Sequence, residues 1–176
     1  MFPGEVETER LLLRQFRQSD LDAYADLLGD AEIARYFPDG TLTRDQAWRH
    51  MSMLTGHWAL LGYGRWAVEL KRTGEFIGRV GLWYPEGWPE IELGWVIARP
   101  HWGNGYAGEA AAPGLRLGFE VLGLTHIASL ILPGNFRSIR VAERLGGRLE
   151  GDMPFFGHQT LVYGYHKPRH TLARDE

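Results

Sequence analysis

The sequence predicts an α+β fold in one domain, residues 1–176, in which a central mixed, mostly antiparallel sheet of about seven strands is flanked by about four helices. The hydrophobic period changes from 3.6 residues before Gly62 to two residues after Gly64. The predicted element order, β-α-α-β-β-β-α-β-α-β-β, contains three consecutive strands and therefore indicates a meander rather than alternating strands and helices. A chain of 176 residues is long enough for one full core.

The N-terminal half begins with a leucine-rich segment, 8–16, that we predict to be a strand. Ser19 then precedes acidic residues at positions 20 and 22, which is typical of a helix start. A longer helix is predicted after Thr43, because apolar residues recur at helical spacing: Ala47, Met51, Leu54, Trp58 and Leu61. Alternating segments follow and predict three antiparallel strands, over 65–71, 75–84 and 90–98.

The C-terminal half opens with a glycine-containing loop and a helix that is predicted to reach about Val121. Pro113 lies inside that helix and cannot donate a hydrogen bond to the Glu109 carbonyl, so we expect a kink or a shortened helix. The remaining elements are predicted to be a buried strand, a helix and two strands, over 126–132, 135–145, 148–155 and 159–166. The tail, 168–176, is expected to be flexible.

Composition excludes several function classes. The formal net charge of −3 gives no electrostatic basis for binding nucleic acid or an anionic membrane. The chain has no cysteine, and none of its seven histidines forms a metal-binding pattern; for His50 and His57, two turns apart on a helix, a solvated or core position is expected. We expect no metal site. No apolar run is long enough to span a bilayer, so a soluble cytoplasmic protein is expected.

The segment RPHWGNGYAGEA, 99–110, contains the spacing G-x-G-x-x-G at Gly103, Gly105 and Gly108. Dinucleotide-binding folds share this spacing, but they need a parallel βαβ unit and an acidic residue about 20 positions further on, where this chain ends its strand in SLILPGN. A P-loop is excluded because no Gly-Lys-Ser/Thr follows. The loop keeps the capacity to bind a phosphate, since unobstructed amides lead into a helix N-terminus.

The segment IELGWVIARPHWGNGYAGEA resembles the central motif of the GNAT superfamily of N-acetyltransferases, an aliphatic strand followed by Q/R-x-x-G-x-G/A and a helix. Tryptophan at the first motif position is similar to the RimJ/RimL branch, whose best-known members acetylate ribosomal-protein N-termini. The segment NFRSIRVAERLGG, 135–147, is similar to that branch's N-x-x-S-I-x-V-x-E-x-L-G signature. The opening ETERLLLRQFRQSDLDAYADL resembles its first strand and helix.

The resemblance implies acetyl-CoA as the acetyl donor. It implies that the pyrophosphate is bound by the loop residues Trp102, Gly103, Asn104, Gly105, Tyr106 and Ala107. The pantetheine arm is expected beside a strand and the helix after it, at Trp95, Val96, Ile97, Asn135 and Ser138. A bulge or splay near Gly94 is expected to expose backbone amides that hold the thioester oxygen.

Acetyl transfer requires a neutral amine. A free α-amine, with a pKa of ~7.7–8.0, is already partly neutral at pH 7, so a modest base suffices. Glu92 is the best candidate, because it precedes the cofactor strand segment, where similar family members carry a glutamate. Its alternative is an ordinary solvated strand carboxylate. Glu90 is the weaker candidate base, since it lies nearer the turn.

The usual proton donor of the family is absent. Many GNAT enzymes carry a tyrosine seven residues after the motif asparagine, and here that position is Ala142. Ser138 stands where the RimJ/RimL signature has its serine, and we expect its hydroxyl to orient the CoA sulfur first and to act as an acid second. Alternatively, the Ser138 hydroxyl bonds a backbone group of its own helix and has no role in the reaction. Asn135 is also expected to be the N-cap of its helix.

The expected activity is acetyl-CoA-dependent acetylation of a primary amine by direct transfer, without a covalent enzyme intermediate. Tyr36, Phe37 and Trp88 are expected to line the acceptor pocket. The acceptor is left open among a protein N-terminus, an amino acid and another small amine. The oligomeric state is also open, although dimers are common among similar proteins. Two alternatives remain: a non-catalytic acyl-CoA-binding module, which Ala142 favours, and a dinucleotide-dependent oxidoreductase.

Overall fold

The computed structural model describes residues 1–168, in which helices flank an eight-stranded sheet. The strands are β1 (Val6–Glu7), β2 (Leu11–Arg14), β3 (Arg65–Leu70), β4 (Glu75–Trp83), β5 (Glu92–Ile97), β6 (His126–Ile131), β7 (Arg148–Phe155) and β8 (His158–His166). The α-helices of these residues are α1 (Leu21–Gly29), α2 (Ala31–Ala34), α3 (Arg44–Leu61), α4 (Tyr106–Glu120) and α5 (Phe136–Arg144). Apart from residue 168, the tail that was expected to be flexible lies outside the described residues.

The strand order across the sheet is β1-β2-β3-β4-β5-β6-β8-β7. Neighbouring strands are antiparallel except β5 and β6, which run parallel. The predicted α+β class with a mixed, mostly antiparallel sheet is therefore confirmed. The strand count exceeds the expected seven because a two-residue strand, β1, precedes the predicted segment 8–16, within which only β2 forms. In the turn that joins β1 to β2, the Thr8 amide donates to the Leu11 carbonyl.

Helix α3 follows its sequence signals closely. Thr43 is the N-cap and forms a capping box with Gln46, and Gly62 ends the helix in the left-handed conformation with φ 73°. The predicted apolar stripe is buried except for Leu61, which is 46% exposed because it lies at the end of the helix. The short helix α2 was not predicted, since four residues are too few to show a hydrophobic period; Asp30 caps it by accepting from the Glu32 amide.

A kink or a shortened helix was expected at Pro113; helix α4 runs unbroken from Tyr106 to Glu120, so the expected shortening is wrong. Pro113 removes one hydrogen bond, to the Glu109 carbonyl. The helix nevertheless buries a face of small and apolar residues against the sheet, including Ala110, Ala111 and Leu115. Burial of that face stabilises the helix more than one backbone bond does.

The sheet is covered on both faces. Trp66, Val80 and Leu93 belong to the apolar cluster that includes α4, whereas Trp83 and Val96 belong to the cluster that includes α1 and α3. Alternate residues of each strand therefore point to opposite sides, in agreement with the alternation from which the three strands were predicted. Within residues 1–168, no helix combines the length and the hydropathy that a transmembrane span requires.

Two glycine-to-alanine substitutions provide a matched test of this packing. A methyl group at Gly78 in β4 would overlap the Val96 carbonyl oxygen of β5, whereas one at Gly56 in α3 would meet no atom within 4 Å. We expect Gly78→Ala to lower the free energy of unfolding by about 2 kcal/mol or more, and Gly56→Ala to raise it by ~0.5–1 kcal/mol. Urea denaturation measures both values, and equal effects of the two substitutions would contradict the described β4–β5 contact.

Candidate active site

The parallel strands β5 and β6 separate almost as soon as they meet. Their one registered pair is Glu92 with Ala128, and the Ser129 hydroxyl donates to the Leu93 carbonyl at 2.6 Å just beyond it. From Gly94 onward β5 pairs only with β4 among the described strands, so its other edge faces an opening. The opening is a splay rather than a bulge, because the β4–β5 register is regular through Gly94. Of the two irregularities expected near Gly94, a bulge or a splay, the geometry agrees with the splay.

A cavity of about 450 Å³ lies on the glycine-loop side of this opening. It brings together ten of the eleven predicted cofactor residues: Trp95, Val96, Ile97, Trp102, Gly103, Gly105, Tyr106, Ala107, Asn135 and Ser138. The eleventh, Asn104, does not line the cavity. Its side-chain amide donates to the His101 carbonyl at 3.1 Å, which stabilises the loop instead. The Trp102 indole likewise donates to the Ile97 carbonyl at 2.7 Å and fixes the loop to the end of β5.

The N-terminus of α4 opens into the same cavity. Gly103 and Gly105 have φ values of 82° and 80°, a conformation that favours glycine, and the N-cap Gly105 offers no side chain to the first turn. The amides of Tyr106, Ala107 and Gly108 consequently have no intrahelical acceptor. Free first-turn amides and the helix dipole suit an anionic oxygen group such as a phosphate.

Helix α5 adds positive charge that sequence reasoning missed. Arg137, Arg140 and Arg144 all line the cavity, and none forms an ion pair with the rest of residues 1–168. The Arg137 guanidinium lies 4.3 Å from the centre of the Trp102 ring. The spacing of three and then four residues was a usable signal, because it places the three side chains on one face of a helix. The cavity therefore fits a ligand with several phosphate charges.

A second cavity, of about 410 Å³, lies on the α1–α3 side of the sheet. It contains all three predicted acceptor-pocket residues, Tyr36, Phe37 and Trp88, together with Glu92. The two cavities share six lining residues: Tyr36, Phe37, Trp95, Val96, Asn135 and Ser138. The two spaces therefore adjoin at the splayed edge of β5.

Glu92 is held by two donors rather than by solvent. Arg65 Nη2 and Trp88 Nε1 each lie 3.0 Å from Glu92 Oε2, and the Glu92 side chain is 12% exposed. Oε1 accepts no hydrogen bond from residues 1–168 and so remains available. Gly94 is needed beside this pair, because a Cβ there would lie 2.8 Å from Arg65 Nη2. The alternative of an ordinary solvated carboxylate is wrong.

Glu90, the weaker candidate base, points elsewhere. Its Oε2 lies 2.8 Å from His126 Nδ1, and the residue lines neither cavity. His126 also pairs with Glu150, which in turn pairs with His166. Ligand atoms of these last three residues lie within 4.8 Å of one another, a grouping that could hold a metal ion and that sequence spacing did not predict. The residues are on separate strands, so only strand pairing brings them together.

The start of α5 lies where the cavities join. Asn135 is the N-cap residue, and its Oδ1 accepts from the Ser138 amide at 3.2 Å. Ser138 lines both cavities, and its hydroxyl bonds no group in the described part of the chain, which argues against the alternative that it bonds local backbone. Ala142 is fully buried and lines neither cavity, so its position offers no acid.

The second cavity is also lined by polar groups to which the sequence assigned no role in the site. Arg65, Arg79 and His50 line it, and the Tyr24 hydroxyl lies 2.8 Å from His50 Nδ1. Burial lowers the pKa of His50 to about 3, with the charges of Arg79 and Arg65 adding to the effect, so His50 is neutral at physiological pH. Burial and the neighbouring Arg79 lower the pKa of Arg65 to about 10, which leaves it charged. His57 has a core position, with its ring bonded to the Tyr63 carbonyl and the Tyr84 amide.

Comparison with known proteins agrees with this geometry. A family model described as an acetyltransferase (GNAT) domain matches residues 10–148. YkkB of Bacillus subtilis (strain 168) is 38% identical over 149 residues, covering 81% of this chain and 84% of YkkB. YoaA of the same organism, named as an N-acetyltransferase, is 31% identical over 179 residues, covering 96% of this chain and 99% of YoaA.

Among solved structures, the acetyltransferase from Agrobacterium tumefaciens strain C58 superposes with a TM-score of 0.85 at 35% sequence identity, covering 95% of this chain and 96% of that one. The dinucleotide-dependent oxidoreductase is excluded, because the glycine loop follows an antiparallel meander and the chain matches another family. The chain belongs to the GNAT acetyltransferase family, and it is an N-acetyltransferase as the sequence predicted.

Proposed function

We propose that this protein transfers the acetyl group of acetyl-CoA directly to a primary amine, as an enzyme of the RimJ/RimL type. The observation that carries the proposal is the meeting of two cavities at the splayed edge of β5. The first cavity is lined by the arginines of α5 and the free amides of α4, and the second contains the Glu92 carboxylate, which Arg65 fixes by a hydrogen bond. A donor and an acceptor can therefore enter from opposite sides and meet without a covalent enzyme intermediate.

On the donor side, the amides of the α4 first turn would hold the pyrophosphate, and the α5 arginines would neutralise the remaining phosphate charge. The open edge of β5 at Trp95, Val96 and Ile97 would hold the pantetheine arm. Bound acetyl-CoA supplies a reactive thioester at the junction. Backbone amides at a sheet edge are fixed dipoles, so they can stabilise a developing oxyanion with little reorganisation.

On the acceptor side, Glu92 has the geometry of a base. Arg65 and Trp88 both bond Oε2, so the carboxylate cannot rotate freely and Oε1 remains to accept a proton from the amine, directly or through water. Ser138 offers a free hydroxyl that can donate to the leaving sulfur. Tyr36 Oη lies 3.4 Å from the Gly134 carbonyl and brings a second hydroxyl to the same junction.

The branch assignment rests on the RimJ/RimL-like signature 135–147, whose serine, Ser138, is at the junction. A protein N-terminus, an amino acid or another small amine remains the proposed acceptor class. The cytoplasmic location, the possible homodimer and the lack of nucleic-acid and membrane partners stay predictions from composition and resemblance. The non-catalytic acyl-CoA-binding module is the second candidate, since the position of the usual tyrosine is Ala142.

Glu92→Gln separates an enzyme from a binding module. The amide keeps the shape of the side chain and an acceptor oxygen for Arg65, but it cannot take a proton from the amine. We expect kcat to fall by about 100-fold or more while the Kd for CoA changes by less than about threefold. The measurement is CoA release against an amine and peptide panel, with CoA binding followed by calorimetry.

The control for this substitution is Glu86→Gln, which removes an exposed carboxylate from the β4–β5 loop. It is expected to leave both constants unchanged. Full activity in Glu92→Gln would contradict the role of the base. CoA binding without turnover of any amine in the unsubstituted protein would favour the acyl-CoA-binding module.

Arg140→Gln tests the phosphate-binding role of α5. Loss of a charge-assisted contact is expected to raise the Kd for CoA by about 10-fold and leave kcat nearly unchanged, because the arginine is remote from the amine. The effect should shrink at high salt, since these side chains are exposed. Arg116→Gln, on the outer side of α4, is the matched control, and an equal effect of both substitutions would contradict a specific phosphate contact.

A further inference from the structure

Arg79 is a buried charged residue of the second cavity, the one that contains Glu92, which is called the acceptor cavity below. It lies in the middle of β4, paired with Ala67 of β3 on one side and with Val96 of β5 on the other. This register directs its side chain to the same face as Arg65 and Glu92, which is the face that the acceptor cavity occupies. The residue lines that cavity and is only 6% exposed.

Arg79 has no anionic partner in the part of the chain that the structure describes. No ion pair includes it, and its Nε is buried without any hydrogen-bond acceptor. The other buried arginines of this face have carboxylate partners: Arg14 bonds Asp20 through two nitrogens at 2.8 Å and Glu69 at 2.7 Å, and Arg65 bonds Glu92 through Nη2 at 3.0 Å. The Arg65 Nε also has no acceptor within residues 1–168, so Arg79 differs from Arg65 in having no carboxylate partner. An unpaired buried guanidinium destabilises a fold, so a free one that faces a cavity points to a ligand.

The neighbours of Arg79 leave its charge uncompensated. The Phe37 ring centre lies 5.8 Å from its guanidinium. The buried Tyr24, whose hydroxyl interacts with Arg79, and the half-buried His50 are both neutral at physiological pH, so neither supplies a negative charge. The positive charge of Arg79 also contributes to the lowered pKa of Arg65. These groups create a positive potential at the base of the cavity.

Neither carboxylate that lines the cavity forms an ion pair with Arg79. Glu92 is bonded to Arg65 and Trp88 through Oε2 and makes no ion pair with Arg79. Asp39 lies at the rim, exposed, and pairs with no cation of residues 1–168. The lining therefore holds a buried acceptor of protons, Glu92, and a separate buried cation, Arg79.

We propose that the acceptor is an amine that also carries a carboxylate, and that Arg79 binds that carboxylate. The inference rests on the proposed function and narrows its acceptor class. A guanidinium binds carboxylates and phosphates alike through parallel hydrogen bonds. One uncompensated positive charge matches a carboxylate of charge −1 better than a phosphate monoester of about −1.5 to −2. A cavity of about 410 Å³ has the size of a small-molecule site, which suits an amino acid or the first residues of a peptide.

The test uses pairs of amines that differ only in carboxylate or carboxamide: glycine and glycinamide, 4-aminobutyrate and 4-aminobutyramide, and glycylglycine and glycylglycinamide. The value of kcat/KM is measured for each with acetyl-CoA, in the unsubstituted enzyme and in Arg79→Met. We expect the ratio of carboxylate to carboxamide to fall by about 10- to 100-fold in Arg79→Met. Differences in amine pKa within a pair cancel, because the same two substrates are given to both enzymes.

Two further variants complete the test. Arg72→Met removes an exposed arginine from the β3–β4 turn and is expected to leave the ratio unchanged. Arg79→Lys keeps the charge without the paired donors, and it should retain part of the carboxylate preference. Arg79→Met is expected to melt no lower than the unsubstituted protein, because an unpaired buried charge has been removed. A large loss of stability in both Arg79 variants would show a structural role and overturn the proposal.

The remaining outcomes are distinct. Acetylation of amines with an unchanged ratio in Arg79→Met overturns the carboxylate site while the proposed function stands. Preference for O-phosphoethanolamine over every carboxylate also overturns it. If CoA binds but no amine is acetylated, the proposed function fails, and the site is judged from thermal shifts with N-acetylglycine and N-acetylglycinamide. Stabilisation by the acid alone, lost in Arg79→Met, supports the carboxylate site; equal shifts overturn it.

Discussion

The separation of β5 from β6 after Glu92 governs the rest of the architecture. Inside a continuous sheet, backbone groups are satisfied by the next strand, and no ligand can reach them. Here the Leu93 carbonyl accepts a hydrogen bond from the Ser129 hydroxyl of β6. The following residues of β5 have no strand partner on the β6 side among the described strands. A strand edge in the interior of the sheet results. Both cavities adjoin there, so the donor and acceptor spaces follow from a single interruption in pairing.

The face of the sheet below the acceptor cavity is unusually charged for a protein interior. Arg14 and Arg65 are stabilised by bonded carboxylates, and the Asp20 and Glu69 contacts raise the pKa of Arg14 further. Such networks contribute little net stability over an apolar interior, and an unpaired member such as Arg79 costs free energy. Retaining these groups beside an open cavity is understandable if they bind substrate. The opposite face, against α4, is apolar and supplies the main core.

Local signals predicted most of the fold. The Thr43 capping box, the stop at Gly62 and the alternating strands placed element ends within a few residues of those observed. The misses have different causes: α2 is too short to show a period, which is a local limit, whereas burial of α4 against the sheet, a tertiary effect, outweighs the shortening expected at Pro113. For the donor site, ten of eleven predicted residues line one cavity. Five of them belong to the contiguous loop 102–107, whose residues are close together in any fold. The strand residues 95–97 with Asn135 and Ser138 are distant in the chain and were expected there from the family resemblance alone.

The sequence alone determined the order of elements, the fold class, the loop and helix that suit a phosphate, and the family resemblance, because these depend on neighbouring residues and on hydrophobic period. Only the tertiary structure decided which side chains meet on the acceptor side. Arg65, Arg79 and Glu92 lie on three strands, and their proximity depends on strand register, which shows only in the folded sheet. Whether a strand arginine finds a carboxylate likewise depends on residues distant in the chain, so the unpaired state of Arg79 could not be predicted.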